Sequence, residues 1–236
     1  MMLATGQSVA EEIQVAVASN FSVAITALAE RFEADSGHKV SLIFGSTGKH
    51  YAQIKNGAPF DAFFAADSKR PELLEQEGVA LPGSRFTYAL GKLILWSPQA
   101  GYVDPEGTVL EQGTFRHLAI ANPKLAPYGK AAREVLQARG VWEALKAKTV
   151  RGENISQTFQ FVSSGNAELG LVAWSQVKQP GHPMTGSWWE VPQALYTPIA
   201  QQAVLLKENT VARAFLSFMK NEKSRALIRS FGYDTP

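Results

Sequence analysis

The chain has 236 residues, and its 23 basic and 21 acidic side chains leave a formal charge of +2. This near balance excludes the strongly basic surface that binding to nucleic acid or to an anionic membrane needs, so we expect a small partner and no nucleic acid. The sequence contains no cysteine, which excludes disulfides, thiolate metal sites and cysteine nucleophiles. No apolar run reaches the roughly 18 residues of a membrane span, which predicts a chain without direct membrane insertion.

The first ten residues differ from the rest of the chain. They lack the basic start and the apolar centre of an export signal, although Ser8, Val9 and Ala10 resemble the small-residue end of one. We expect residues 1–10 to be a tail, the remnant of a trimmed export signal or residues left from cloning.

Strand and helix patterns alternate in the first part of the chain. Apolar runs predict strands over residues 13–18, 40–44 and 61–66. After the first run, apolar side chains at helical spacing predict a helix that begins near Phe21 and ends at Gly37, and a short helix is expected over about residues 49–55. Strands that alternate with helices indicate a parallel sheet built from βαβ units.

The same alternation returns later and implies a second sheet. It predicts strands over 117–121 and 169–173, and helices over 128–139, around Trp142 and Leu145, over 155–162, over 211–219 and over 225–228.

Two long runs suggest how the sheets are connected. RFTYALGKLILW, residues 85–96, exceeds an average strand and contains Gly91, and PIAQQAVLL, residues 198–206, is a further apolar run. Two strands that cross between lobes would explain both runs. We therefore predict an α/β fold of two lobes joined by two crossing strands, with residues 11–86 and 200–236 in the first lobe and residues 87–199 in the second.

Small polar residues recur where a strand ends and a helix begins. The junctions are Ser19-Asn20, the GSTG turn at residues 45–48, the segment 122–129 and the segment 153–156. A helix start presents main-chain N–H groups without intrahelical partners and the positive end of the helix dipole. Each junction alone is an ordinary helix cap, but four together in two lobes favour an anion held by uncharged groups in a cleft.

Motifs for catalysis or metal binding are weak by comparison. The GSTG turn and Lys49 fail the P-loop pattern, because Ile43 and His50 stand where glycine and serine or threonine are required. The four histidines (His38, His50, His117 and His182) lie far apart, and we expect them in loops or at the surface rather than on a metal. A serine hydrolase using Ser46 or Ser19 remains an alternative, but it would need a base that the sequence does not indicate.

The ordered motifs resemble those of one family. AVASNF (16–21), GSTG with YAQIKNGAPFDAFFAAD (45–67), LPGSRFTYALGKLILW (81–96), IANPKLAPYG (120–129), ELGLVA (168–173) and PIAQQAVLL (198–206) closely resemble the periplasmic molybdate-binding proteins of ABC importers. The resemblance runs from about Gln14 to Tyr233. It implies a type II periplasmic-binding fold, with the ligand buried between lobes that close around it.

The resemblance also implies a set of oxyanion donors. Carried over by position, they are Ser19, Asn20, Ser46, Thr47, Tyr128 and the main-chain amide of Ile155. Thr47 stands where serine is usual, and Ala173 stands where some members use a tyrosine. Lys49 is expected to point into solvent.

These implications predict a non-enzymatic receptor without a cofactor or a protein-ligated metal. It would bind molybdate or tungstate in the periplasm as a monomer and deliver the anion to an ABC permease and its ATPase. A receptor for sulfate or another tetrahedral oxyanion is the alternative that helix starts alone do not exclude.

Overall fold

The computed structural model describes residues 10–236, so the expectation for residues 1–9 lies outside the described residues. Ten strands are found within this range: β1 Glu12–Ala18, β2 Lys39–Gly45, β3 Ala62–Ala65, β4 Phe86–Gly91, β5 Leu93–Ser97, β6 Leu118–Ala121, β7 Thr149–Gly152, β8 Leu169–Ala173, β9 Ser187–Glu190 and β10 Ile199–Leu205.

The same range contains ten α-helices and three 3₁₀ turns. The helices are α1 Ser22–Ser36, α2 Thr47–Lys55, α3 Lys69–Gln76, α4 Val109–Gln112, α5 Pro127–Ala138, α6 Trp142–Leu145, α7 Ile155–Ser163, α8 Trp174–Val177, α9 Thr210–Met219 and α10 Glu222–Ser230. The 3₁₀ turns are Ser19–Phe21, Lys146–Lys148 and Gln193–Leu195. Across residues 10–236, no helix is both long enough and apolar enough to span a bilayer.

The strands form two five-stranded sheets. The first has the order β2-β1-β3-β10-β4 and the second the order β7-β6-β8-β5-β9. The predicted βαβ units are present, since β1 pairs in parallel with β2 and β3, and β6 pairs in parallel with β7 and β8. The other strands make both sheets mixed, because β10 runs antiparallel to β3 and β4, and β5 runs antiparallel to β8 and β9.

Each sheet is covered by helices on both faces. One apolar cluster on the first sheet joins Val15 and Phe64 to side chains of α1 and α9, and another joins Ala16 and Phe63 to Ile54 and Leu74 of α2 and α3. The second sheet is likewise packed between two clusters. Strands buried on both faces read as continuous apolar runs, which explains why β1, β3, β6 and β8 were predicted from the sequence.

The chain crosses between the sheets twice, as predicted, but at different positions. The run over residues 85–96 is divided at Lys92 into β4, which lies in the first sheet, and β5, which lies in the second. We therefore place the first lobe boundary at Lys92 rather than between residues 86 and 87. The return crossing runs through residues 191–198, and all of β10 pairs within the first sheet.

Candidate functional site

A small cavity lies between the lobes, at the carboxyl ends of the parallel strands. Its walls are Ala18, Ser19, Asn20, Gly45, Ser46, Thr47, Ala66, Ala126, Pro127, Tyr128, Asn154 and Ile155. All six residues expected to donate to an anion are in this set. The cavity offers about 10 Å³ to the centre of a water molecule, so the lobes are in close contact around it. Among these described wall residues none carries a charge.

The first wall is the 3₁₀ turn that follows β1. Ser19 and Asn20 lie in this turn and are 5% and 4% exposed. Because β1 is a central strand of the first sheet, its carboxyl end directs the turn toward the second lobe. The Ser156 N–H in the second lobe donates to Ser19 Oγ over 3.4 Å, and Ser156 Oγ donates to Ser19 O over 3.1 Å.

The second wall is the start of α2, immediately after β2. Ser46 is the N-cap, and its hydroxyl oxygen accepts from the Lys49 N–H at 3.4 Å. The Thr47 hydroxyl oxygen accepts from the Ala66 N–H at 3.0 Å, in a buried position at the end of β3. These contacts fix both hydroxyls on the cavity side of the turn.

The other walls are the starts of α5 and α7 in the second lobe. Pro127 occupies the first turn of α5, and the preceding Ala126 offers no side-chain cap. Asn154 caps α7, accepting from the Gln157 N–H at 2.9 Å. The main-chain N–H groups of Tyr128 and Ile155 donate to no acceptor within residues 10–236, as expected for the first turn of a helix.

The hydrogen bonds of the hydroxyls determine what the cavity can bind. The oxygens of Ser19, Ser46 and Thr47 each accept a main-chain N–H. A hydroxyl that already accepts keeps its own proton for donation. Together with the free N–H groups of the helix starts, the wall therefore presents donors. A fully ionised oxyanion, which only accepts hydrogen bonds, matches such a wall.

The side-chain amide of Asn20 is held within the protein. Its amide nitrogen donates to Gln201 Oε1 at 2.8 Å and to Tyr233 OH at 3.1 Å. Both amide protons are used inside the protein, so Asn20 has its main-chain N–H for a ligand.

The Tyr128 hydroxyl is also held within the protein. It accepts from Gln201 Nε2 at 3.3 Å, and the whole side chain is buried. Burial raises the pKa of this hydroxyl well above its ordinary value, with nearby Tyr233 and Tyr88 acting in the same direction. Tyr128 therefore stays a neutral phenol and adds no negative charge beside an anion.

Direct contacts join the lobes at the rim of the cavity. The Gly48 N–H donates to Leu125 O over 2.8 Å. Lys49 Nζ lies 2.5 Å from Glu153 Oε1, and these side chains are 49% and 48% exposed. Lys49 does reach solvent as expected, but its pairing with an acid of the other lobe has no signal in the sequence.

The histidine expectation was wrong for His50. Its ring is 2% exposed and lies beneath the GSTG turn, with Nε2 3.2 Å from Val17 O and Nδ1 3.0 Å from Gln53 Oε1. His50 follows Lys49 on a helix whose other face is exposed, so its burial depends on packing against β1. Within residues 10–236, no group of three or more histidine or acidic side chains is arranged to hold a metal ion.

A second, larger space of about 330 Å³ adjoins the first and also lies between the lobes. It shares Ala66, Ala126 and Pro127 with the small cavity. Unlike the small cavity it is lined by charged side chains, namely Asp67, Lys69, Arg70, Lys130 and Glu134. The uncharged and the charged spaces are thus neighbours but differ in chemistry.

The chain is similar to known proteins over nearly its whole length. The chain is 53% identical to the molybdate-binding protein ModA of Azotobacter vinelandii over 95% of this chain and 90% of that protein. It is 48% identical to ModA of Rhodobacter capsulatus over 96% of this chain and 89% of that protein. The solved A. vinelandii periplasmic molybdate-binding protein superposes with a TM-score of 0.92 at 44% identity, covering 95% of this chain and 99% of that one.

A family model described as bacterial extracellular solute-binding protein matches residues 13–234. This match spans both sheets and all four walls of the small cavity. The chain belongs to the bacterial extracellular solute-binding proteins.

Proposed function

We propose that the small cavity between the lobes binds molybdate, and that the chain delivers this anion to an ABC importer. The observation that carries the proposal is a wall of hydrogen-bond donors without a charged side chain, contributed by both lobes. The names of the two ModA relatives and of the superposed structure support the choice of anion.

The donors suffice for tight capture. A hydrogen bond to a charged group contributes about 1.5–3 kcal/mol, and micromolar affinity corresponds to about 8 kcal/mol. Six such donors would contribute about 9–18 kcal/mol, which exceeds this requirement before the cost of bringing the lobes together is subtracted. The starts of α2, α5 and α7 add favourable dipoles, which stabilise a negative charge without a paired cation.

The arrangement also predicts which anions are rejected. Phosphate carries a proton at neutral pH, and that proton would meet donors rather than acceptors. Sulfate matches molybdate in charge and shape but is smaller, so its oxygens would stretch the hydrogen bonds of a fixed wall. Tungstate is nearly as large as molybdate, and we propose that it binds comparably.

The proposed partners and location follow from this role. We propose that the chain acts in the periplasm as a monomer, and that an ABC permease with its ATPase receives the anion. The cavity walls supply no acid, base or charged group beside Ser19 or Ser46, which supports a binding role for these serines rather than a catalytic one.

Thermal unfolding of ligand-stripped protein with each of four anions tests the proposal. A ligand at 100 times its dissociation constant adds about 2.7 kcal/mol, which raises the midpoint by roughly 5–10 °C for a chain of this size. We expect this rise with molybdate and tungstate only. A rise with sulfate alone would reassign the substrate, and no rise with any of the four would refute oxyanion binding.

A further inference from the structure

A buried polar cluster adjoins the anion cavity, and Gln201 of β10 is its centre. This side chain is 0% exposed. Its carboxamide oxygen accepts from Asn20 Nδ2 at 2.8 Å and from Tyr88 OH at 3.0 Å. Its carboxamide nitrogen donates to Tyr128 OH at 3.3 Å. One amide thus contacts two of the proposed anion-binding residues.

These contacts connect the two lobes. Asn20 and Tyr88 belong to the first lobe, and Tyr128 lies at the start of α5 in the second. Gln201 itself is on the strand that follows the return crossing. The pairing of β10 with β4 shifts register between Gln201 and Gln202, and such a bulge re-aims side chains relative to a regular strand.

Gly91 at the end of β4 leaves room for this connection. A Cβ atom at Gly91 would lie 2.2 Å from Tyr128 OH and 2.7 Å from Gln201 Nε2. No side chain fits at this position while the two groups keep their hydrogen bond. The first crossing segment, the return strand and the second-lobe helix α5 therefore meet at one point.

The cluster also fixes the peptide of Asn20. Tyr233 OH accepts from Asn20 Nδ2 at 3.1 Å and donates to Asn20 O at 2.7 Å. Ser175 of the second lobe donates to the same carbonyl at 3.3 Å. With its side chain and its carbonyl both held, the orientation of the 3₁₀ turn is set by this cluster.

We propose that Gln201 is a positioning residue for anion binding. It connects the Ser19-Asn20 turn of the first lobe to Tyr128 of the second, and so sets the distance between the donors of the two lobes. The inference rests on the proposed function, because it assigns Gln201 a role in the same site.

A matched pair of variants distinguishes this role from ordinary packing. Gln201→Met removes the amide and keeps the approximate volume. Gln202→Met makes the same change one residue later, where the hydrogen bonds of the side chain within residues 10–236 go to Arg85 and Thr87 of the first lobe. Molybdate affinity is measured by titration calorimetry for both, alongside the unfolding midpoint of the ligand-free proteins.

We expect Gln201→Met to raise the molybdate Kd at least tenfold, equivalent to about 1.4 kcal/mol, and Gln202→Met to change it less than about twofold. Tyr128→Phe removes the other partner of the hydrogen bond between the lobes, so it should also raise the Kd. The double variant Gln201→Met with Tyr128→Phe should bind molybdate little less tightly than the single variant with the higher Kd. The effects of two substitutions that break the same contact do not add.

Equal Kd values for Gln201→Met, Gln202→Met and wild type would overturn the inference, as would full additivity in the double variant. If Gln201→Met does not fold, Tyr128→Phe alone decides, because an unchanged Kd there removes the proposed link. Wild-type protein that binds no molybdate would refute the proposed function and the inference with it. Binding by wild type with an unaffected Gln201→Met variant would refute the inference alone.

Discussion

Gly48, in the first turn of α2, is the position where a single methyl group would separate the lobes. Its N–H donates to Leu125 O in the second lobe at 2.8 Å. A Cβ at Gly48 would lie 2.9 Å from that carbonyl oxygen and 3.0 Å from Leu125 Cα. Both are main-chain atoms, so they cannot move aside as a flexible side chain would.

The Gly48→Ala variant should therefore affect binding and stability in opposite directions. Overpacking of this kind costs typically 1–3 kcal/mol, which corresponds to a rise in the molybdate Kd of roughly 5-fold to 150-fold. This overpacking destabilises only the state in which the two lobes are in contact, because the Cβ would meet Leu125 of the second lobe. In any state with separated lobes the clash is absent, and alanine in a helix is favoured over glycine by up to about 1 kcal/mol.

The assay is calorimetric titration with molybdate together with the unfolding midpoint of the ligand-free protein. Ala52→Gly is the control, because Ala52 is exposed on the same helix and its change weakens α2 without touching the second lobe. We expect Ala52→Gly to lower the midpoint and leave the Kd unchanged. A Gly48→Ala variant that binds molybdate as tightly as wild type would refute the view that lobe contact at this point accompanies binding.

Three further changes test separate parts of the site. Thr47→Val leaves the buried Ala66 N–H without its acceptor. It should therefore lower the free energy of unfolding by about 1–3 kcal/mol and weaken molybdate binding more than tenfold. Thr47→Ser keeps the hydroxyl and should retain wild-type stability in melting experiments and wild-type affinity in titrations. Lys49→Met removes a half-exposed ion pair with Glu153, so the molybdate Kd should change less than about fivefold. The difference from wild type should shrink at high salt, and a large loss of affinity that does not depend on salt would contradict this. Burial lowers the pKa of His50, so below about pH 6.5 the unfolded chain binds a proton that the folded chain does not, and stability falls as the pH decreases from there toward the folded-state pKa. His50→Gln should reduce that fall in denaturant titrations at several pH values, and an unchanged pH profile would refute the assignment.

The strands and the helix starts were predictable because their signals are local. β8 coincides with the predicted run at residues 169–173, and α7 begins at Ile155 as expected. Buried strands need apolar residues on both faces, and helix starts need caps, so both leave a short pattern in the sequence. All six residues named from the sequence line one cavity, and their role as anion donors stays a prediction.

The contacts between lobes were not predictable in the same way. Gln201 lies in an apolar run and has no neighbour in sequence among its three partners, which are 73 to 181 positions away. The burial of His50 and the pairing of Lys49 with Glu153 likewise depend on elements brought together only by the fold. The antiparallel direction of β5 and β10 has no local signal for a similar reason, because these crossing or returning strands pair with strands that are distant in the chain.

The most direct test of the central claim is the position of molybdenum in a crystal of the protein grown with molybdate, located by its anomalous scattering. The account predicts one molybdenum between Ser19, Thr47 and Ile155, with oxygen atoms facing hydroxyls and main-chain N–H groups and no cationic side chain in contact. Molybdenum in the larger space instead, bound to Arg70 or Lys130, would contradict the claim that uncharged donors of both lobes hold the anion.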